Sequence, residues 1–196
     1  MSVMYYSAVV AQGAVVWLRR GKRKAVFKPR GSRRSVVKGF SERSRRRLAI
    51  LLHRIRWPFS VLFLTLTFDP SRFPQSSWKY ELHRFIVSFL KRHKGWGIVW
   101  KQEFQANGRP HFHLLLIPPR SDWGGWAFIP HRELERLWGL GYVWVERVQH
   151  WRLSSYILKY VRKGASLDIS AISETGRVGR FWGVRGSVEY ADVRDV

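Results

Sequence analysis

The chain has no cysteine among its 196 residues. That excludes disulfides and every thiolate metal site, and it leaves the compartment open. Acid is scarce as well: 13 Asp and Glu stand against 36 Lys and Arg, a formal net charge of +23. No apolar run approaches the roughly 20 residues needed to cross a bilayer. The opening "MSVMYYSAVVAQGAVVWL" is fairly apolar, but Arg19 and Arg20 follow it rather than precede it. Neither a signal peptide nor a membrane span is expected. No internal repeat is visible.

Apolar residues make up 45% of the chain and aromatics 15%, including 11 Trp, which excludes general disorder. The length suffices for one domain with a real core. A protein this basic meets a polyanion, and its aromatics can stack on bases where phosphates are neutralised. Nucleic acid is the expected partner. The bland alternative is a merely basic surface.

The charge is unevenly placed. Residues 1–60 carry 16 Lys and Arg against one acid, Glu42; the remaining 20 basic residues share their stretch with 12 acids. Residues 1–60 therefore read as a basic DNA-binding extension, and 61–196 as the functional domain. The extension opens with a strand or hairpin, "YYSAVVAQGAVVWL", and passes through "RRGKRKAVFKPRGSRR". A helix follows, "SERSRRRLAILLHRIRW", capped by Ser41, with Leu48, Leu51, Leu52 and Ile55 at helical spacing and arginine on its other face.

From residue 61 the pattern sharpens. Strands are expected over 61–68, 97–105, 110–117 and 142–148, and helices over 76–95, 129–141 and 152–164. The order β-α-β-β-α-β is a split βαβ, ferredoxin- or RRM-like arrangement. It belongs to the α+β class, with an antiparallel sheet, helices on one face and the other face free for a site.

The stretch "GRPHFHLLL" (108–116) places His111 and His113 on one side of a strand and Phe112 on the other. A His-x-His pair alone is weak, since it arises in about one chain in four of this composition. It is also compatible with two polar residues on a solvated sheet face. Glu103, on the preceding strand, raises its value. If Asn107-Gly108 formed a two-residue turn, Glu103 would oppose Phe112 on the wrong face. A three-residue turn with Gly108 left-handed sets Glu103 across from His111 on the same face. The second register makes a site of two imidazoles and one carboxylate, and it is the one expected. Such a set suits Mg²⁺ or Mn²⁺ acting on phosphate, and Zn²⁺ is compatible with the ligands alone.

"YILKYVRK" (156–163) holds two tandem copies of Tyr-x-x-Lys. Tyr156 and Tyr160 share one helix face, and Lys159 and Lys163 share a neighbouring one. An ordinary amphipathic helix would explain either tyrosine alone. Tyrosine, with a pKa near 10, suits one nucleophilic task well: attacking a phosphodiester and storing the bond as a phosphotyrosine. A nearby lysine would lower the phenol's pKa or steady the developing charge.

"TLTFDP", "EFQANGRPHFH" and "YILKYVRK", in this order and spacing, resemble the three motifs of HUH endonucleases, the rolling-circle replication initiators (Rep) of small phages and plasmids. The double Tyr-x-x-Lys most resembles the two-tyrosine initiators of small isometric phages. The likeness spans roughly residues 61–163, and "GRFWGV" (179–184) resembles the family more weakly. It implies His111 and His113 as metal ligands with Glu103 as the third, and Mg²⁺ or Mn²⁺ as the cofactor. It implies Tyr156 and Tyr160 as alternating nucleophiles and Lys159 and Lys163 as supporting lysines. "TLTFDP" would lie beside the site, with Thr65, Thr67 and Asp69 on the open face. The family's sheet has about five strands, so a fifth remains to be placed, in the N-terminal region or around 179–190.

The activity implied is metal-dependent nicking and rejoining of single-stranded origin DNA through a 5′-phosphotyrosine, in the cytoplasm of a prokaryotic host. There is no GxxxxGK[ST] loop, so unwinding would need a host helicase or a supercoiled origin, and elongation a host polymerase. Two alternatives stay open: a transposase or mobilisation relaxase of the same superfamily, and a non-catalytic RRM-like binding module. The module explains the charge and the tryptophans. It does not explain the coincidence of histidines, acid and paired tyrosines.

Overall fold

A computed structural model describes residues 6–11, 14–19, 40–72, 78–105, 108–149, 152–153 and 179–191. Strands β1 (Tyr6–Ala11) and β2 (Ala14–Arg19) pair antiparallel as a separate two-stranded sheet. Helix α1 (Glu42–Arg54) begins as its sequence demands: Ser41 is extended and its Oγ accepts the N–H of Ser44 at 3.2 Å. The helix buries Leu48 and Leu52 and ends at Ile55, which returns to extended backbone.

The main sheet is built from β3 (Ser60–Thr67), β4 (Gly97–Phe104), β5 (Pro110–Ile117), β6 (Val143–Gln149) and β7 (Trp182–Gly186). Its spatial order is β6-β3-β5-β4-β7, and every neighbouring pair is antiparallel. Helix α2 (Trp78–Arg92) links β3 to β4, and α3 (His131–Trp138) links β5 to β6. This is the split βαβ order with β7 added at one edge, and the fold is α+β. The fifth strand thus comes from "GRFWGV". Gly183 sits opposite Trp100 there, and a Cβ on it would lie 2.8 Å from the indole nitrogen. The glycine is what lets this strand lie against Trp100.

Alternation sorts the strands onto two faces. On the first, Leu62, Leu64, Leu66, Phe112, Leu114, Leu116 and Ile98 pack under Phe85 and Phe89 of α2 and Leu134 and Trp138 of α3. The second face is not wholly open. Leu48 and Leu52 of α1, with Phe40 and Ile55, pack on Val61, Val99, Leu115 and Ile117. The helix attached to the basic region therefore shares a core with the sheet, because its leucine stripe needs an apolar surface and these residues supply one.

Successive rows across the second face differ in chemistry. Phe63, Leu115, Val99 and Val184 form one row. The next runs Trp144, Thr65, His113, Lys101, Trp182. Beyond it come Thr67, His111 and Glu103. Strand β3 stops at Thr67, so Asp69 falls outside the sheet; its carboxylate accepts the N–H and the hydroxyl of Ser71 at 2.9 and 2.7 Å. The expected alternation of Asp69 with Thr65 and Thr67 does not extend that far.

Candidate metal centre and nucleic-acid site

Strand β5 presents His111 and His113 on the second face and buries Phe112 completely on the first. The β4–β5 register pairs Glu103 with His111 and Lys101 with His113. Gly108 sets it. Its φ is 78°, its N–H donates to Gln105 O at 2.9 Å, and the N–H of Gln105 donates to Arg109 O at 2.8 Å. A left-handed residue here favours glycine, and the pairing is that of the three-residue turn. Ala106 and Asn107 lie outside the described residues.

The side chains then meet. Glu103 Oε2 lies 3.3 Å from His113 Nε2, and Glu103 Oε1 accepts from Lys101 Nζ at 2.5 Å. On the far side of the ring, His113 Nδ1 lies 3.0 Å from Thr65 Oγ1. Phe63 stacks on the same ring, 5.5 Å between centroids and 17° between planes. His111 is neighbour to His113, with centroids 5.9 Å apart, but its Nε2 meets the side-chain amide of Gln105.

Thr65 has a particular value in this geometry. When His113 Nε2–H donates to Glu103, the Thr65 hydroxyl donates to Nδ1. When Nε2 is needed as a lone-pair donor, the proton moves to Nδ1 and the same hydroxyl accepts it. A hydroxyl is both donor and acceptor, so Thr65 supports either tautomer.

Burial alone would raise the pKa of Glu103. Hydrogen bonds from His113 and Lys101, and the Lys101 charge, outweigh burial and hold it at about 2. The carboxylate is therefore an anion at neutral pH, with one oxygen committed to Lys101 and the other facing His113.

Whether these residues suit a divalent cation turns on donor type and convergence. Two imidazole nitrogens and a carboxylate oxygen stand on one face, and Thr65 backs one ring in the manner of an orienting partner. In kind the set fits. Among the described residues, no three His, Asp or Glu side chains converge closely enough to hold a metal ion; Glu103 and His113 meet, and His111 faces Gln105.

The four helix candidates, Tyr156, Lys159, Tyr160 and Lys163, lie outside the described residues. The chain leading to them is visible. Arg152 and Leu153 are helical, and Leu153 is buried in the second-face cluster with Val148, Leu115 and Ile117. The segment that precedes Tyr156 thus starts on the face that carries the histidines.

Three participants escape sequence reasoning. Lys101 is fully buried, with Nζ 5.3 Å from the Phe40 ring centre as well as bonded to Glu103. Its signal was the same alternation, because residues 101 and 103 of one strand share a face. Gln105 reaches His111 from just beyond β4. Trp144 is 67% exposed at the edge of the row that contains Thr65 and His113. Its alternation with buried Val143 marks it as facing away from the helix-covered core.

A family model of replication-associated proteins, the ORF2 and gene II protein type, matches residues 61–165. The chain belongs to this replication-associated protein family. The match starts at β3, includes Thr65, Glu103, His111 and His113, and ends two residues after Lys163. No curated protein and no solved structure matches the chain. Membership in the replication-associated protein family supports a replication initiator that acts on DNA, in keeping with the net charge of +23. Among the described residues no helix is long and apolar enough to cross a membrane.

Proposed function

We propose that this replication-associated protein is a HUH-type endonuclease that nicks single-stranded origin DNA and later rejoins it, starting rolling-circle replication of a phage or plasmid. One phenol, Tyr156 or Tyr160, attacks the scissile phosphorus. A bond forms between the phenolic oxygen and phosphorus, and the bond from phosphorus to the 3′ oxygen breaks. The phenolic proton is lost and the 3′ oxygen gains one. The products are a 5′-phosphotyrosine and a free 3′-OH, which a host polymerase extends behind a host helicase. Attack by a later 3′-OH on the phosphotyrosine reverses the step and closes the strand. Two tyrosines allow a second cleavage before the first is resolved.

Lys159 and Lys163, one turn apart, steady the phenolate. Glu103, His111 and His113 would hold a divalent cation, whose chemistry when bound is to polarise the scissile phosphate. Thr65 orients His113, and Lys101 fixes Glu103. Trp144, exposed in the same row, offers a ring on which a base next to the reacting phosphate stacks.

The observation that most supports this reading is the register pairing Glu103 with His111, next to His113 and Thr65, in a chain of this family. The test is a 5′- and 3′-labelled single-stranded origin oligonucleotide incubated with Mn²⁺ or Mg²⁺ and run on a denaturing gel. A protein–DNA adduct carrying the 3′ part of the oligonucleotide, with release of the 5′ part, is expected. Retention of the 5′ part instead, or no adduct with any candidate origin, contradicts the reading.

A further inference from the structure

Helix α1 and the edge strand β7 wall a cleft of about 1190 Å³ that contains none of the residues discussed above as reacting groups. Arg43, Arg47 and Arg54 line it from the helix and Arg180 from the segment before β7; no Asp or Glu lines it. Residues 43, 47 and 54 fall on one helical face, and eleven residues of helix span about 16 Å. That length corresponds to about five nucleotides at 3.4 Å each.

Other surface arginines differ. Arg46 pairs with Glu42, Arg84 with Glu81, and Arg120 with Glu189. Among the described residues, none of the four cleft arginines has a carboxylate partner. Arg54 lies 5.8 Å from the Tyr190 ring centre, and its Nε is buried with no hydrogen-bond partner. The described chain supplies no anion for these charges, and a buried unsatisfied donor is costly.

The walls are tied together. Trp182 Nε1 donates to Ser44 Oγ at 2.9 Å across the cleft, and Lys79 Nζ donates to the Arg180 carbonyl at 2.5 Å. A groove held open in this way loses little entropy when it is filled. Its volume exceeds that of most small-molecule pockets, which favours a segment of polymer. Trp182 also ends the row that leads through Lys101 to His113, two strands away, or about 10 Å.

We propose that the α1–β7 cleft is a phosphodiester-binding site, which grips the backbone of the single DNA strand that continues from the reacting nucleotide. It rests on the nicking reading only for the identity of that strand. The arginines neutralise successive phosphates, while Trp182 and Tyr190 supply aromatic surface at the cleft wall.

The test is the salt dependence of binding, measured by fluorescence anisotropy with the full chain and a labelled single-stranded oligonucleotide. In Arg43→Gln/Arg47→Gln/Arg180→Gln, the slope of log K against log salt should shrink by about 2, since each lost single-strand phosphate contact removes about 0.7. A control triple variant of paired arginines, Arg46→Gln/Arg84→Gln/Arg120→Gln, should change it by less than half as much. Circular dichroism and a thermal melt check that both variants fold. An unchanged slope in the folded cleft variant overturns the proposal. A loss confined to duplex DNA also overturns it, because the cleft would then be a duplex grip. The wild-type adduct assay separates this from the nicking reading: adduct with no slope change sinks the cleft alone, and slope change with no adduct sinks nicking alone.

Discussion

On the second face of the sheet, Leu115 and Val99 lie dry beneath helix α1, and one step along the same two strands stand His113 and Lys101. The backbone treats both rows identically: same strands, same pairing, same alternation. Only the side chains differ. In the first row they make a surface for Leu48 and Leu52; in the next they make an ion pair, an imidazole contact and a hydroxyl behind it. The sheet thus supplies position, and the residue at each row decides whether that position is core or site. Perturbing the apolar row should cost stability alone, whereas perturbing the polar row should cost both stability and chemistry.

The largest stability effect is expected from Lys101→Met. It leaves the Glu103 carboxylate half-buried and without its ammonium partner, a loss of about 3–5 kcal/mol in urea unfolding. Lys101→Met/Glu103→Gln should regain most of that. If it does not, Lys101 matters for packing against Phe40 rather than for pairing. In the apolar row's cover, Leu52→Ala should cost about 2–5 kcal/mol. Adduct yield per folded molecule should stay unchanged, and a drop in that yield would show that the two halves are not separable.

Acid separates the rows next. Glu103 titrates at about 2 in the folded chain against 4.5 when unperturbed, so folding favours its ionised form. The stability it contributes is complete above pH 4.5 and disappears as pH falls from 4.5 to 2. The total is roughly 3 kcal/mol. Urea unfolding of wild type and Glu103→Gln should converge across that window; parallel curves would place the shift elsewhere. The smallest effect is at Thr65. Thr65→Val removes the hydroxyl behind His113 and should weaken Mn²⁺ binding by about 10–100-fold in a calorimetric titration, while Thr65→Ser keeps it. Equal affinity in all three would remove Thr65 from the site.

Much of this is legible in the sequence. The His111–Phe112–His113 alternation, the Ser41 cap, the strand order and the Gly108 turn each follow from local rules, because each depends on residues within a few positions of one another. The apolar stripe of α1 is equally legible, but not its partner. A leucine stripe states that a face must be buried and is silent on which surface buries it, so α1's packing on the second face could not be read. The hydrogen bond between Thr65 and His113 joins residues 48 apart and depends on the β3–β5 register, which no single motif encodes. The cleft is the same kind of feature: its arginines are visible as the polar face of a helix, and only β7 turns that face into a wall.

If the histidine row carries the chemistry while the charge that holds DNA lies elsewhere, binding and cleavage must come apart in His113→Ala. The most direct test measures both side by side in that variant, with the same labelled single-stranded origin oligonucleotide. The prediction is loss of the covalent adduct by at least about 100-fold, with the dissociation constant within about twofold of wild type. A His113→Ala protein that cleaves normally, or that loses binding as steeply as cleavage, would contradict it.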